Sequence, residues 1–294
     1  HPSMRKKFLI ALWSCLLVLT RGLDGVRTIS EVARSDSLKV LFSTLAVTSL
    51  QTAERGRERG ERIHCFFVPG FQLDRSYYGS IAKVAANEAS IYFHYLDGPE
   101  HTSAGTIEDA SALMVEKIRR SVAGWEKRGE DRLVLMGHSR GAAVAALALL
   151  GMQAISFDGN ISLIQVDPVD DSRNTAIRAL HDRSNRAYLD KISSRLSIFI
   201  MSLSYGGYSS YYKQRLVSSC APEGRNADSF VEALPADLRI LQKEYREVGH
   251  MQFLDRSVNS ETSDMFSAVC PRSEAGEKRV EEVRQQLREW ILRS

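Results

Sequence analysis

The sequence predicts an α/β protein with a mostly parallel central sheet and helices on both of its faces. Three observations predict it. Apolar runs such as IHCFFV (63–68) and ISLIQV (161–166) do not alternate with polar residues, as strands buried on both faces do not. Segments with apolar residues at helical spacing recur between those runs, the rhythm of strand and crossover helix. One run passes straight into GHSRG (137–141) at the head of a small-residue segment, which reads as a strand, a sharp turn and a helix.

Taken in order, His1-Pro2-Ser3 before Met4 reads as a vector-derived remnant. Arg5-Lys6-Lys7 and the apolar run Phe8 to Leu19 have the layout of a targeting leader over 4–25. That run is shorter than the ~20 residues a membrane-spanning helix needs. The remainder, 26–294, reads as one domain with no linker to divide it. Residues 38–50 are β-branched and read as one or two strands. Residues 52–62 carry charges of both signs between glycines and read as a solvated loop. A strand over 63–68 ends in Pro69-Gly70; a helix over 76–86 and a strand over 89–97 follow. Ile107, Ala110, Leu113, Met114, Ile118, Val122 and Trp125 lie on one face of a helix over 106–127. Strands over 131–137, 161–167, 195–203 and 238–245, a helix over 140–151, and an amphipathic helix over 277–292 complete the pattern.

Composition excludes several classes. Of 294 residues, 44% are hydrophobic and 26% charged, ordinary for a globular protein and unlike a disordered or polytopic membrane chain. The net charge of +3 lacks the concentrated basic face of a nucleic-acid binder, so no nucleic-acid partner is expected. Four cysteines stand at 15, 65, 220 and 270 with no C-x-x-C pair, so no metal site is expected. Cys65 lies in an apolar run and reads as a buried thiol. Cys220 and Cys270 are a candidate pair in polar, late segments.

GHSRG is G-x-S-x-G in its proper context. A strand that turns abruptly into a helix strains the serine backbone, and side chains two residues before and after it would collide with neighbouring elements; glycine at 137 and 141 removes both collisions. Ser139 is thereby presented at a helix N-terminus, where developing negative charge is favoured. A serine nucleophile needs a base, and in this arrangement an acid and then a histidine follow it in the chain. His181 and His250 come late enough. His181 sits in a polar helical stretch and reads as solvated, whereas His250 lies on a loop after the 238–245 strand and before the last helix. Asp167 ends a strand before Pro168, with Asp170 and Asp171 as close competitors. The oxyanion donors expected are the N–H of Arg140 and one from the loop Val68-Pro69-Gly70-Phe71-Gln72, with Phe71 ahead of Gln72.

These pieces resemble the chlorophyllase family of α/β-hydrolases. GHSRG (137–141) resembles that family's nucleophile motif, in which arginine follows the serine. SLIQVDPVD (162–170), SCAPEGRNADSFVE (219–232) and YREVGHMQFLD (245–255) resemble its later motifs in the same order, and together the likeness spans 63–255. The sequence departs from the family's pattern in Val-Pro-Gly-Phe for His-Gly-Tyr at the early loop, in Ala142 for a glycine, and in Gln252-Phe253 for Asp-Met. The resemblance implies Ser139 as nucleophile, Asp167 as acid and His250 as base. It implies hydrolysis of the phytyl ester of chlorophyll to chlorophyllide and phytol with no cofactor. It also implies a plastid location, although the leader fits the secretory pathway too, and peripheral contact with the thylakoid or another pigment-bearing membrane.

A substrate that joins a flat macrocycle to a branched hydrocarbon needs apolar and aromatic walls. Candidate substrate-binding residues are Gln72, Tyr77 and Tyr78 after the early loop, His138 beside the serine, and Tyr205 and Tyr208 in the tyrosine-rich stretch 201–212. The alternatives are a general lipase or carboxylesterase and a non-catalytic pigment-binding protein on the same fold. The complete Ser–Asp–His order argues against the latter.

Overall fold

The computed structural model describes residues 62–71, 73–86, 91–96, 105–123, 131–205, 208–209, 214–215, 224–255 and 272–294. The leader, the 38–50 strands, the 52–61 part of the charged loop, Cys15, Gln72, Cys220 and Cys270 lie outside the described residues.

Six strands form one sheet: β1 (Ile63–Val68), β2 (Ile91–Tyr95), β3 (Arg132–His138), β4 (Asn160–Val166), β5 (Leu196–Leu203) and β8 (Ile240–Tyr245). Their order is β2-β1-β3-β4-β5-β8 and every pairing is parallel. A two-residue ribbon, β6 (Tyr208–Ser209) with β7 (Gln214–Arg215), is separate from it.

Among the described residues the helices are α1 (Gly79–Ala86), α2 (Ile107–Ala123), α3 (Arg140–Gly151), α4 (Thr175–His181), α5 (Arg183–Ile192), α6 (Ala227–Ala233) and α7 (Glu274–Arg293). Alternate strand residues feed two cores, one on each side of the sheet. Phe66, Leu135, Leu163 and Ile198 pack with α2, α3, α4 and α5. Cys65, Phe67, Met136 and Ile164 pack with Ile81 of α1 and with Val283, Leu287 and Trp290 of α7. Cys65 is a fully buried free thiol, as expected from its apolar run.

Several boundaries moved for local reasons. The 76–86 helix divides into a 3-10 turn, Arg75–Tyr77, capped by Asp74, and α1, whose Ser80 N–H donates to Asp255 Oδ2 at 2.6 Å. The polar helical stretch around His181 breaks at Asp182, whose carboxylate accepts the first amides of α5. His181 is exposed at the end of α4, the solvated position expected of it. Helix α6, capped by the Asn226 side chain, was not expected. Its seven residues are too few for periodicity to reveal.

Candidate active site

The strand order creates the crevice. From β1 the chain moves outward to β2 and then returns past β1 to β3. The segments leaving the C-terminal ends of β1 and β3 therefore diverge to opposite faces, α1 to one and α3 to the other, and a parallel sheet opens at such a point. The Val68–Gly70 loop and the Ser139 turn meet there. A Cβ on Gly70 would lie 3.3 Å from Ser139 Cβ.

Ser139 takes φ 55° and ψ −127°, a conformation in which a non-glycine residue persists only when its surroundings impose it. The flanking glycines are part of that imposition. A Cβ at Gly137 would stand 2.1 Å from the Gly141 carbonyl oxygen, and one at Gly141 would stand 2.2 Å from that of Val68. The Ser139 N–H donates to Val166 O at 3.0 Å, which ties the turn to β4. Ser139 is the N-cap of α3, yet its side chain makes no capping bond, so Oγ is not spent on the helix. Arg140 follows at the first helical position, and its guanidinium donates to Gly105 O.

Asp167, the first residue past β4, also has positive φ (45°), and its N–H donates to Met201 O at 2.7 Å. This kink turns the side chain across the end of β5. Oδ1 accepts the Leu203 N–H at 3.0 Å, and Oδ2 lies 2.5 Å from His250 Nδ1. Both side chains are buried. A carboxylate can only accept here, so Nδ1 carries the hydrogen and Nε2 is left with the lone pair a general base needs. The competing aspartates are placed elsewhere. Asn174, the N-cap of α4, makes no side-chain cap bond, and the two aspartates fill that role. Asp170 accepts the amides of Ala176 and Ile177 at 3.3 and 2.8 Å, and Asp171 that of Thr175 at 3.1 Å. Burial raises the Asp170 carboxyl above the ordinary carboxylate range, while bonds from Thr175 and Arg173 hold Asp171 below it despite partial burial.

The loop that carries His250 is braced by a residue the sequence reading noted only as a family departure. Gln252 is buried; its Oε1 accepts the Gly249 N–H at 2.9 Å and the Ser273 N–H at 3.3 Å, and its Nε2 donates to Ser273 O. Ser273 caps α7, so the base loop is fastened to the start of the last helix. A Cβ on Gly276 would stand 2.2 Å from the Glu247 carbonyl oxygen and 2.5 Å from Gln252 Oε1, so α7 can approach the base loop this closely only with glycine there.

The expected aromatic walls need correction. Tyr78 is 1% exposed and His138 is 0% exposed; neither faces a substrate. Tyr78 closes the short turn before α1 and points inward against Phe67, while His138, as the last residue of β3, points into the core beneath the serine turn. Tyr77 is half-buried against the core on the α1 and α7 side. Tyr205 is 39% exposed and its N–H donates to Val248 O at 3.2 Å, so it stands beside the base loop. Tyr208 lies in β6, with its side chain outside the described residues, as is all of Gln72. Phe71 is 38% exposed in a turn closed by Leu73 N–H to Gly70 O at 3.1 Å, a turn in which the amide of the second residue is not used. Among the described residues no group of three or more His, Cys, Asp or Glu is arranged to hold a metal ion, and no helix is long and apolar enough to cross a membrane.

The sequence matches the family model described as Chlorophyllase over residues 111–287, a stretch that includes Ser139, Asp167 and His250. No curated protein matches it. Similar solved structures include Est1E from Butyrivibrio proteoclasticus, 11% identical with TM-score 0.42, covering 80% of this chain and 88% of its own. The peroxisomal α/β-hydrolase Lpx1 from Saccharomyces cerevisiae is 12% identical with TM-score 0.38, covering 80% and 78%. A cutinase-like protein from Cryptococcus sp. is 8% identical with TM-score 0.36, covering 79% and 94%.

Proposed function

The chain belongs to the chlorophyllase family of α/β-hydrolases, and from that premise we propose that it is a serine carboxylesterase that cleaves the phytyl ester of chlorophyll to chlorophyllide and phytol. The observation that carries the reading is the contact of Asp167 Oδ2 with His250 Nδ1 at 2.5 Å, in a molecule whose strained Ser139 turn sits at the adjoining strand end.

In this reading Ser139 Oγ attacks the ester carbonyl carbon while His250 Nε2 takes the hydroxyl proton. Asp167 keeps the imidazole in one tautomer and stabilises the imidazolium. The N–H groups of Arg140 and Phe71 receive the oxyanion, each such donor being worth about 3–4 kcal/mol in the transition state. His250 then gives its proton to the phytyl oxygen and phytol leaves. Water, deprotonated by the same nitrogen, attacks the acyl-enzyme and releases chlorophyllide. The exposed Phe71 and Tyr205 offer apolar surface to the macrocycle or the phytyl chain. A plastid location and contact with the thylakoid surface go with this substrate.

The test labels one sample with a serine-reactive organophosphate and, in a separate unlabelled sample, compares turnover of purified chlorophyll with that of p-nitrophenyl butyrate. Labelling at Ser139 with preferred turnover of chlorophyll is the expected result. Turnover of the short ester alone assigns the protein to general esterases, and an unlabelled Ser139 overturns the hydrolase mechanism.

A further inference from the structure

Two buried groups that no step above uses join the three loops of the site. Tyr78 Oη lies 2.9 Å from the Gly70 nitrogen and 2.8 Å from His138 Nδ1. His138 Nε2 lies 3.1 Å from the carbonyl oxygen of His250. The imidazoles of His138 and His250 lie with their centroids 4.7 Å apart. The chain of contacts therefore starts in the β1 loop that supplies an oxyanion donor. It passes under Ser139 through the residue immediately before it, and ends on the backbone of the base.

With His138 kept neutral by burial, one placement of hydrogens satisfies all three contacts. The Gly70 N–H can only donate, so Tyr78 Oη accepts it. The single hydrogen of Tyr78 must then go to His138 Nδ1, which becomes an acceptor. A neutral imidazole with Nδ1 as acceptor carries its hydrogen on Nε2, and that nitrogen faces a carbonyl that can only accept. Burial supports this placement, because it holds the Tyr78 phenol protonated and, with His250 alongside, keeps His138 neutral. Neutrality matters to the chemistry. His250 becomes cationic in each half-reaction, and a second cation beside it would oppose that step.

Resting on the serine-hydrolase reading above, we propose that Tyr78 and His138 form a positioning relay for the reaction. The relay sets the spacing between the Gly70–Phe71 oxyanion loop and the His250 backbone, and so holds donor and base in register about Ser139. Asp167 and Leu203 fix the ring of the base, and the relay fixes its main chain. Neither residue touches substrate.

The experiment measures steady-state hydrolysis of p-nitrophenyl butyrate by Tyr78→Phe, His138→Leu and His138→Gln, each normalised to the fraction of Ser139 that an organophosphate titrates. That normalisation removes misfolded protein from the comparison. The relay predicts that kcat per titrated serine falls about 10- to 100-fold in Tyr78→Phe and His138→Leu with KM within twofold, since a small misplacement of reacting groups costs rates of that order. His138→Gln, whose amide offers one acceptor and one donor, recovers a substantial part of the loss. The double variant Tyr78→Phe/His138→Leu is no slower than the slower single one, because either change breaks the same chain. Unchanged kcat per titrated serine in both single variants, with only melting temperature lowered, shows a packing role and overturns the relay. So do losses that multiply in the double variant. A wild-type protein that neither hydrolyses the ester nor takes the label fails the hydrolase reading itself, and the relay with it.

Discussion

Asp167 holds His250 with one carboxylate oxygen and is itself held by the Leu203 amide with the other. The acid, at the end of β4, is thus oriented by the end of β5 before it orients the base, 83 residues away in the chain. A side chain gripped at both oxygens has no rotamer left to choose, which suits a group that must keep an imidazole in one tautomer.

That grip separates Asp167 from Asp170. Asp167→Asn should lower kcat by roughly four orders of magnitude with the fold intact, since the amide can present the wrong tautomer to the ring. Asp170→Asn should leave kcat within a few-fold and cost about 0.5–2 kcal/mol of stability through the weakened α4 cap. Kinetics with circular dichroism on both variants checks this. A dead Asp170→Asn beside an active Asp167→Asn reverses the assignment.

Ser139→Ala should abolish ester hydrolysis and organophosphate labelling together, a loss of several orders of magnitude. Its melting temperature should stay close to that of the wild type, because the Ser139 side chain makes no cap bond and a methyl fits the same backbone. Residual activity within tenfold of wild type would point to another nucleophile.

Gln252→Ala removes the brace between the base loop and α7. Its partners lose their bonds, the Gly249 N–H in a buried setting and the Ser273 N–H and carbonyl in a partly buried one, at a cost of about 1–3 kcal/mol. Lower thermal stability is expected together with a fall in kcat that exceeds any rise in KM. A variant with wild-type kcat and stability would show that the brace is dispensable.

Acid should destabilise the fold through its buried histidines. Burial, with His94 alongside, pushes His64 down to about 4. Burial also lowers His94, and lowers His138 further. In each case the unfolded chain binds a proton that the folded one refuses. The stability these groups contribute is therefore complete above the ordinary histidine value of ~6.5 and declines as pH falls below it, by about 1.4 kcal/mol per pH unit for each proton. His138→Gln should reduce the slope of unfolding free energy against pH by about one such increment between roughly pH 6.5 and 5. Urea titrations at several pH values measure it, and an unchanged slope would mean that His138 is protonated in the fold.

The sequence alone determined what depends on neighbours in the chain. Non-alternating runs announced strands buried on both faces, and the six strands found are parallel and flanked by helices. The two glycines of GHSRG announced the strained turn, because the clashes they avoid arise from a strand meeting a helix at once. Asp167 was readable as a strand-end residue beside Pro168, but not as a residue turned by positive φ onto the Leu203 amide. Only the tertiary structure decided which aspartate meets His250, since all three lie within five positions of one another and the strand order alone brings β4 beside β5. It also moved Tyr78 and His138 from the expected substrate wall into the core. An aromatic residue with a polar tip serves either place, and the choice rests on whether a distant partner waits inside. For Tyr78 that partner is His138, 60 residues on; for His138 it is the backbone of His250, a further 112 residues away. Periodicity and turn chemistry act over a few residues, whereas such contacts arise only when the sheet brings three loops to one edge.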